Sequence, residues 1–242
     1  MTNSIVIESA FSTILNQVIH IFRTKFPIEL HSLYVYGSVA QGTAIVGTSD
    51  LDLCVVFHYQ VDDLEMKISD IQSYIMSVSP MFSKIDIDIG FLDDVLDPKN
   101  QKRWGAWIKF FCHFIDGEDL SIHFKDIQID RSVIQAINQG YDQDIQSYFS
   151  ALEIHDQTLQ ERINLKKSLI KRMIRLVPLS WSEIETWPLN LNETLAQAMQ
   201  NDPEHKVMFQ YLLEELENPN DVNTTSLDRL REIYAWIYIH LK

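Results

Sequence analysis

Residues 33–53 read LYVYGSVAQGTAIVGTSDLDL and decide the fold of the first half of the chain. The stretch predicts a strand, a turn at Gly37 and Ser38, a short loop, and a second strand that opens with Asp50 and Asp52. Successive side chains of a strand alternate between its two faces, so Asp50 and Asp52 are expected on the same side. Carboxylates suit Mg²⁺, which proteins usually hold with one or two of them plus substrate phosphates.

The turn at Gly37 and Ser38 is a candidate phosphate cradle, because backbone N–H groups and a serine hydroxyl are suited to anions. Combined with the two carboxylates, it predicts a metal-dependent enzyme that acts on a nucleoside triphosphate. Gly37 and Gly42 have the spacing of a P-loop, but Thr43 and Ala44 follow where a P-loop has Lys and Ser or Thr. A P-loop is therefore excluded.

A further acidic segment begins at Lys84 and reads KIDIDIGFL. Its polar and apolar residues alternate with the period of a strand, so Asp86 and Asp88 are expected on one face and the isoleucines on the buried one. The segment is thus expected to bury its isoleucines and to expose its carboxylates.

The order of these features resembles the signature of the DNA polymerase beta superfamily of nucleotidyltransferases. Gly-Ser is followed by eleven residues, then Asp-x-Asp, then an acidic residue on a later strand. The forms GS-x-A-x-G-T-A and S-D-x-D-L are similar to those of bacterial aminoglycoside nucleotidyltransferases and of minimal nucleotidyltransferases.

The resemblance implies an α+β domain in which helices flank a mixed sheet and three carboxylates bind two Mg²⁺ ions, with ATP as co-substrate. Two metals can clamp the attacking and leaving oxygens of an in-line displacement. It assigns the β- and γ-phosphates to Gly37 and Ser38, and metal ligation to Asp50 and Asp52. The third ligand and general base is Asp86 or Asp88, and the Lys-Ile-Asp-Ile context favours Asp86.

In the rest of the chain, the spacing of apolar residues predicts further helices and strands. Helices are expected at residues 11–22 and 61–78, a helix or a helix running into a strand at 104–114, a turn at 116–119, and a short strand at 121–124. Strand patterns then end, and helices are expected at residues 158–176, 182–200, 204–217 and 226–241. The predicted domains are therefore a catalytic one at residues 1–130 and an all-helical bundle at residues 131–242.

A basic stripe runs along the predicted helix at residues 158–176. Lys167, Lys171 and Arg175 repeat at the spacing of one helix face, with Lys166 and Arg172 alongside. One interpretation is that the stripe binds the triphosphate or pyrophosphate, so that the helical domain forms a nucleotide- and substrate-binding wall. The other is a solvent-facing surface that pairs with nearby acids.

Composition limits the partners of the chain. The net charge of −14 argues against sequence-independent binding along a nucleic-acid backbone. No apolar run approaches the roughly 18 residues of a membrane span, and the two cysteines form no C-x-x-C pair, so a reduced cytoplasmic protein is expected.

The leading hypothesis is an adenylyltransferase that transfers AMP from ATP to a hydroxyl of a small molecule, such as an aminoglycoside-like antibiotic. The alternative is a toxin–antitoxin or defence enzyme that modifies a protein or RNA. The attached helical domain favours the former, because minimal nucleotidyltransferases of the latter kind usually resemble only the first half.

Overall fold

A computed structural model of the chain describes residues 9–154, 156–181, 188, 190–219 and 223–241. The chain divides into two compact units, Met1–Gln128 and Ile129–Lys242. This division lies close to the one predicted near residue 130.

The first unit is built on a four-stranded mixed sheet. The strands are β1 (Leu30–Tyr36), β2 (Leu51–Phe57), β3 (Ile85–Phe91) and β4 (His113–Gly117). Their order in the sheet is β3-β2-β1-β4, with β2 and β3 parallel and the other neighbours antiparallel. The predicted mixed sheet is thus confirmed, and β2 is an inner, apolar strand, as expected from its sequence.

Two amphipathic helices cover one face of the sheet, namely α1 (Ser9–Lys25) and α3 (Leu64–Val78). Both were predicted from their apolar stripes. Phe22 of α1 and Ile75 of α3 are fully buried there, and burial of such side chains stabilises a fold by about 1.5–3 kcal/mol each. The isoleucines of β3 pack into the same core, so the predicted assignment of its two faces is confirmed.

The opposite face of the sheet is covered only in part. A short helix, α4 (Leu92–Leu96), precedes two successive wide, π-type turns at Gln101–Gly105 and Trp107–Phe111. These pack on a second core that includes Tyr34 and Cys54. At its other end this face carries the carboxylates described below.

The apolar run at residues 104–114 is helical, of the wide π type, and leads into β4, so the predicted helix running into a strand is confirmed. Two predictions between residues 116 and 124 need correction. Asp116 and Gly117 end that strand instead of forming the expected turn. The strand expected at residues 121–124 is a 3₁₀ turn, Leu120–Phe124, because the Asp119 side chain caps it by accepting a hydrogen bond from the backbone N–H of Ser121 at 3.0 Å.

The described residues of the second unit form helices joined by turns, and no strand. The helix predicted at residues 158–176 is α7, which begins with a capping box in which the side chains of Thr158 and Glu161 satisfy each other's backbone N–H groups. The helices of this unit are α5 (Arg131–Ile137), α6 (Tyr141–Leu152), α7 (Leu159–Leu176), α8 (Leu191–Asn201), α9 (Lys206–Glu217) and α10 (Thr224–Leu241).

The helix predicted at residues 182–200 begins later than expected. Asn190 caps α8 through its side chain, and residue 188 is not helical. The part of that prediction that falls on residues 182–187 and 189 lies outside the described residues. Across the described helices of both units, none combines the length and apolar character that crossing a membrane requires.

Candidate active site

The carboxylates of β2 and β3 meet at one end of the half-covered face. Asp52 lies directly opposite Asp86 of β3 on one side and Tyr36 of β1 on the other. Asp50 comes just before β2 and, by strand alternation, shares this face with Asp52. Asp88 lies two residues further along β3, on the same face as Asp86, and opposite Cys54. The four carboxylates predicted from sequence are therefore brought together.

Crowding of these carboxylates changes the titration of Asp52. Burial, followed by the negative charges of Asp50, Asp86 and Asp88, raises the pKa of Asp52 from 3.8 to about 6. Burial disfavours the charged form, and like charges add to that effect. Asp52 is thus the carboxylate with the most to gain from a nearby cation.

Two of the carboxylates are held by residues that immediately precede β3. The hydroxyl of Ser83 donates to Oδ1 of Asp50 at 2.6 Å. The Nζ atom of Lys84 lies 2.5 Å from Oδ1 of Asp86, and this hydrogen bond raises the pKa of Lys84. Sequence reasoning missed both roles, although the strand period places Lys84 on the face of Asp86.

Asp88 has a different partner. The hydroxyl of Tyr36 donates to Oδ2 of Asp88 at 2.7 Å. Burial of the phenol and then the charge of Asp88 raise the pKa of Tyr36, so Tyr36 remains a neutral donor. The Tyr36 ring packs edge-to-face against Trp107, with 4.8 Å between ring centroids. These aromatic contacts come from the wide turns, whose form the sequence did not predict.

Gly37 and Ser38 open a single helical turn, α2 (Gly37–Ala40), directly after β1. Gly37 has a φ of +67°, which side-chain-bearing residues rarely adopt. A Cβ atom on Gly37 would lie 2.1 Å from Oδ2 of Asp52, closer than atoms can approach. Glycine therefore allows the turn and the Asp52 carboxylate to lie against each other.

The donor set fits Mg²⁺, since it consists of carboxylate oxygens from Asp50, Asp52 and Asp86. Burial first, and then the charges of Asp50, Asp86 and Asp88, raise the pKa of Asp52, so a cation bound there would favour its charged form. Within the described part of the chain, no three acidic, histidine or cysteine side chains already adopt a metal-binding geometry.

The basic residues predicted to bind phosphate lie on α7 of the second unit. Lys171 and Arg175 are exposed and Lys167 is half-exposed. The expected contribution of Lys166 to this stripe is wrong, because Lys166 is fully buried and its Nζ atom lies 2.6 Å from Oε2 of Glu215.

Arg172 is also engaged within the second unit. It lies 3.6 Å from the Asp144 carboxylate and over the ring of Tyr141. The basic face of α7 therefore consists of Lys167, Lys171 and Arg175, and their role in nucleotide binding stays a prediction.

Comparison with known proteins agrees with this architecture. The family described as nucleotidyltransferase domain matches residues 15–109. No curated protein matches the chain. Among solved structures, the crystal structure of spectinomycin adenyltransferase AAD(9) from Enterococcus faecialis with ATP and spectinomycin aligns with a TM-score of 0.60 and 16% identity.

The alignment covers 95% of this chain and 98% of that one, so the likeness of fold includes the helical region. The matched family segment runs from α1 to the second wide turn and contains Gly37, Asp50, Asp52 and Asp86. Residues 15–109 are thus a nucleotidyltransferase domain of the DNA polymerase beta-like type, and the chain is an enzyme built on that domain.

Proposed function

We propose that the chain is a Mg²⁺-dependent adenylyltransferase that transfers AMP from ATP to a hydroxyl of a small molecule, of the aminoglycoside-like antibiotic class. The observation that carries the proposal is the convergence of Asp50, Asp52 and Asp86 beside the Gly37 turn, within a nucleotidyltransferase domain. Likeness along almost the whole chain to an adenyltransferase crystallised with ATP and spectinomycin supports a small-molecule acceptor.

The proposed reaction is an in-line displacement. The acceptor hydroxyl oxygen forms a bond to the α-phosphorus of ATP while the bond from that phosphorus to the bridging oxygen breaks, and pyrophosphate leaves. Asp86 takes the hydroxyl proton as general base. The turn at Gly37 and Ser38 holds the β- and γ-phosphates. Two Mg²⁺ ions held by Asp50, Asp52 and Asp86 would supply charge stabilisation at the attacking and leaving oxygens.

Strand register supports Asp86 over Asp88 as the third carboxylate. Asp86 lies directly opposite Asp52. Asp88 lies opposite Cys54, two residues further along β2, and already accepts a hydrogen bond from the Tyr36 hydroxyl. A metal ligand must share a cation with Asp52, so the opposite position is the favourable one. Asp88 is then a neighbour of the site rather than a ligand.

The helical unit is proposed to bind substrate and nucleotide. On this proposal Lys167, Lys171 and Arg175 bind the triphosphate, since among the described residues of their unit no ion pair holds them as Glu215 holds Lys166 and Asp144 holds Arg172. The proposed domain roles are catalysis for residues 1–130 and substrate and nucleotide binding for residues 131–242.

A labelling experiment tests the proposal directly. The protein is incubated with Mg²⁺ and ATP labelled at the α-phosphorus, with spectinomycin, streptomycin, tRNA or a cell extract offered separately. Label is expected in a small molecule, together with release of pyrophosphate. Asp52→Asn is expected to abolish transfer, whereas Asp93→Asn, at an exposed position on α4, is the matched control.

Two results would contradict it. Label that enters only RNA or protein would favour the toxin–antitoxin or defence alternative. ATP binding without any transfer, unchanged in Asp52→Asn, would indicate a nucleotide-binding module without catalytic activity.

A further inference from the structure

Lys84 occupies the position in which it can oppose a cation bound to Asp86. Its Nζ atom lies 2.5 Å from Oδ1 of Asp86, a carboxylate oxygen proposed as a metal ligand. The backbone of Lys84 is fixed, because its carbonyl accepts a hydrogen bond from the N–H of Leu51 at 2.9 Å. Pairing with the sheet therefore positions the backbone of Lys84 so that its ammonium group reaches Asp86.

We propose that Lys84 is a positioning residue that competes with the divalent cation for Asp86 and so sets the Mg²⁺ concentration at which the enzyme becomes active. This inference rests on the proposed function, because it takes Asp86 as a ligand. An ammonium group at hydrogen-bond distance and a Mg²⁺ ion at about 2.0–2.1 Å cannot share one carboxylate oxygen without strong repulsion. Binding of the cation at Oδ1 of Asp86 therefore requires that Lys84 move away, and binding at Oδ2 still places the two positive charges on one carboxylate.

Charge supports this competition. The negative charges of Asp86, Asp50 and Asp52 act on Lys84, and the protein pairs Asp86 with it. Each positive charge near the site lowers the attraction that these carboxylates exert on a second cation. Lys84 thus weakens metal binding while it relieves the repulsion among the carboxylates.

The exposure of the Lys84 and Asp86 side chains distinguishes competition with a cation from a structural role of Lys84. The side chains of Lys84 and Asp86 are 64% and 40% exposed. Ion pairs of this kind contribute little to stability, and truncation of an exposed side chain leaves no cavity. Lys84→Met is therefore expected to fold, and the Lys84 ammonium group retains a path to solvent when it leaves Asp86.

The test measures metal binding in the full chain without nucleotide. Free Mn²⁺ is followed by electron paramagnetic resonance, and Mg²⁺ by calorimetry, for the natural protein and for Lys84→Met. The variant is expected to bind Mn²⁺ about three- to tenfold more tightly, the size of effect that a screened unit charge produces near a partly exposed site. The Mg²⁺ concentration for half-maximal pyrophosphate release is expected to fall in parallel.

Two variants serve as controls. Lys84→Arg keeps the charge and is expected to restore the natural affinity. Lys25→Met removes a lysine that pairs at 3.8 Å with Asp70 in the same unit, and is expected to leave the affinity unchanged.

The outcomes distinguish this inference from the proposed function. If the natural protein binds Mn²⁺ and Asp52→Asn loses that binding, but Lys84→Met binds it equally or more weakly, Lys84 does not compete and the inference is overturned. If the natural protein binds no Mn²⁺, or if Asp52→Asn binds it as well as the natural protein does, the metal site itself is wrong and both proposals fail.

Discussion

Asp52 links the acidity of the site to the stability of the protein. Its pKa is raised to about 6 in the folded chain from an ordinary value of 3.8, so folding disfavours its charged form. A raised pKa means that the stability contribution of this group is fully present below about pH 4 and is lost as the pH rises through about 6. The same carboxylate that is suited to a cation therefore costs the protein stability near neutral pH.

Asp52→Asn is expected to unfold at a higher temperature than the natural protein at pH 7.5 in the presence of a chelator. The difference has an upper limit of about 3 kcal/mol, and solvent screening of a partly exposed group reduces it further. It is expected to shrink at pH 4.5, where the natural Asp52 is mostly protonated. Thermal unfolding at the two pH values measures this, and a pH-independent difference would contradict the assigned pKa.

The proposed choice of Asp86 over Asp88 as the third carboxylate rests on the partners of the two side chains. Asp86→Asn is expected to lower kcat about 10²-fold or more, because it removes a ligand and the general base. Asp88→Asn is expected to keep kcat within about tenfold, since Asp88 is bound by Tyr36 and lies opposite Cys54. Steady-state pyrophosphate release measures both, and the reverse ranking would assign the third carboxylate to Asp88.

At the level of elements, the junction of β1 and α2 depends on a single missing side chain. Gly37 and Gly47 both have a positive φ, but a Cβ on Gly37 would collide with Asp52, whereas a Cβ on Gly47 would meet no atom within 4 Å. The pair therefore separates backbone strain from contact with the site.

Gly37→Ala and Gly47→Ala are both expected to lower stability by about 1–2 kcal/mol through the left-handed backbone. Only Gly37→Ala is expected to weaken Mn²⁺ binding and to abolish transfer, because it displaces Asp52. Chemical denaturation and metal titration of the two variants measure these effects. Equal loss of metal binding in both would show that the contact with Asp52 is unimportant.

The sequence was most informative where its periodicity and its chemistry agreed. The strand Leu51–Phe57 has the predicted bounds, since a continuous apolar run between turn residues leaves few alternatives. The segment Trp107–Phe111 is helical and leads into β4 as predicted, but its π-type hydrogen bonding is not specified by the apolar pattern. Partners such as Tyr36 for Asp88 depend on strand pairing, which no local pattern specifies.

At the scale of the whole molecule, the basic face of α7 belongs to a strongly acidic chain. Replacement of Lys167, Lys171 and Arg175 by alanine is expected to raise KM for ATP about tenfold, equal to about 1.4 kcal/mol, with little change in kcat. Lys206→Ala, at an exposed position on α9, is the control. An unchanged KM at low ionic strength would show that this face is only a solvent-exposed charged surface.

The position of β3 in the sheet has a consequence for how the protein behaves in concentrated solution. Among the described strands β3 pairs with β2 alone, so it is an edge strand. Edge strands present backbone groups that can pair with another chain, and charged side chains on such strands oppose this self-association. Asp86 and Asp88 are therefore expected to keep the protein monodisperse, and variants that neutralise both should be checked for aggregation before their activities are compared.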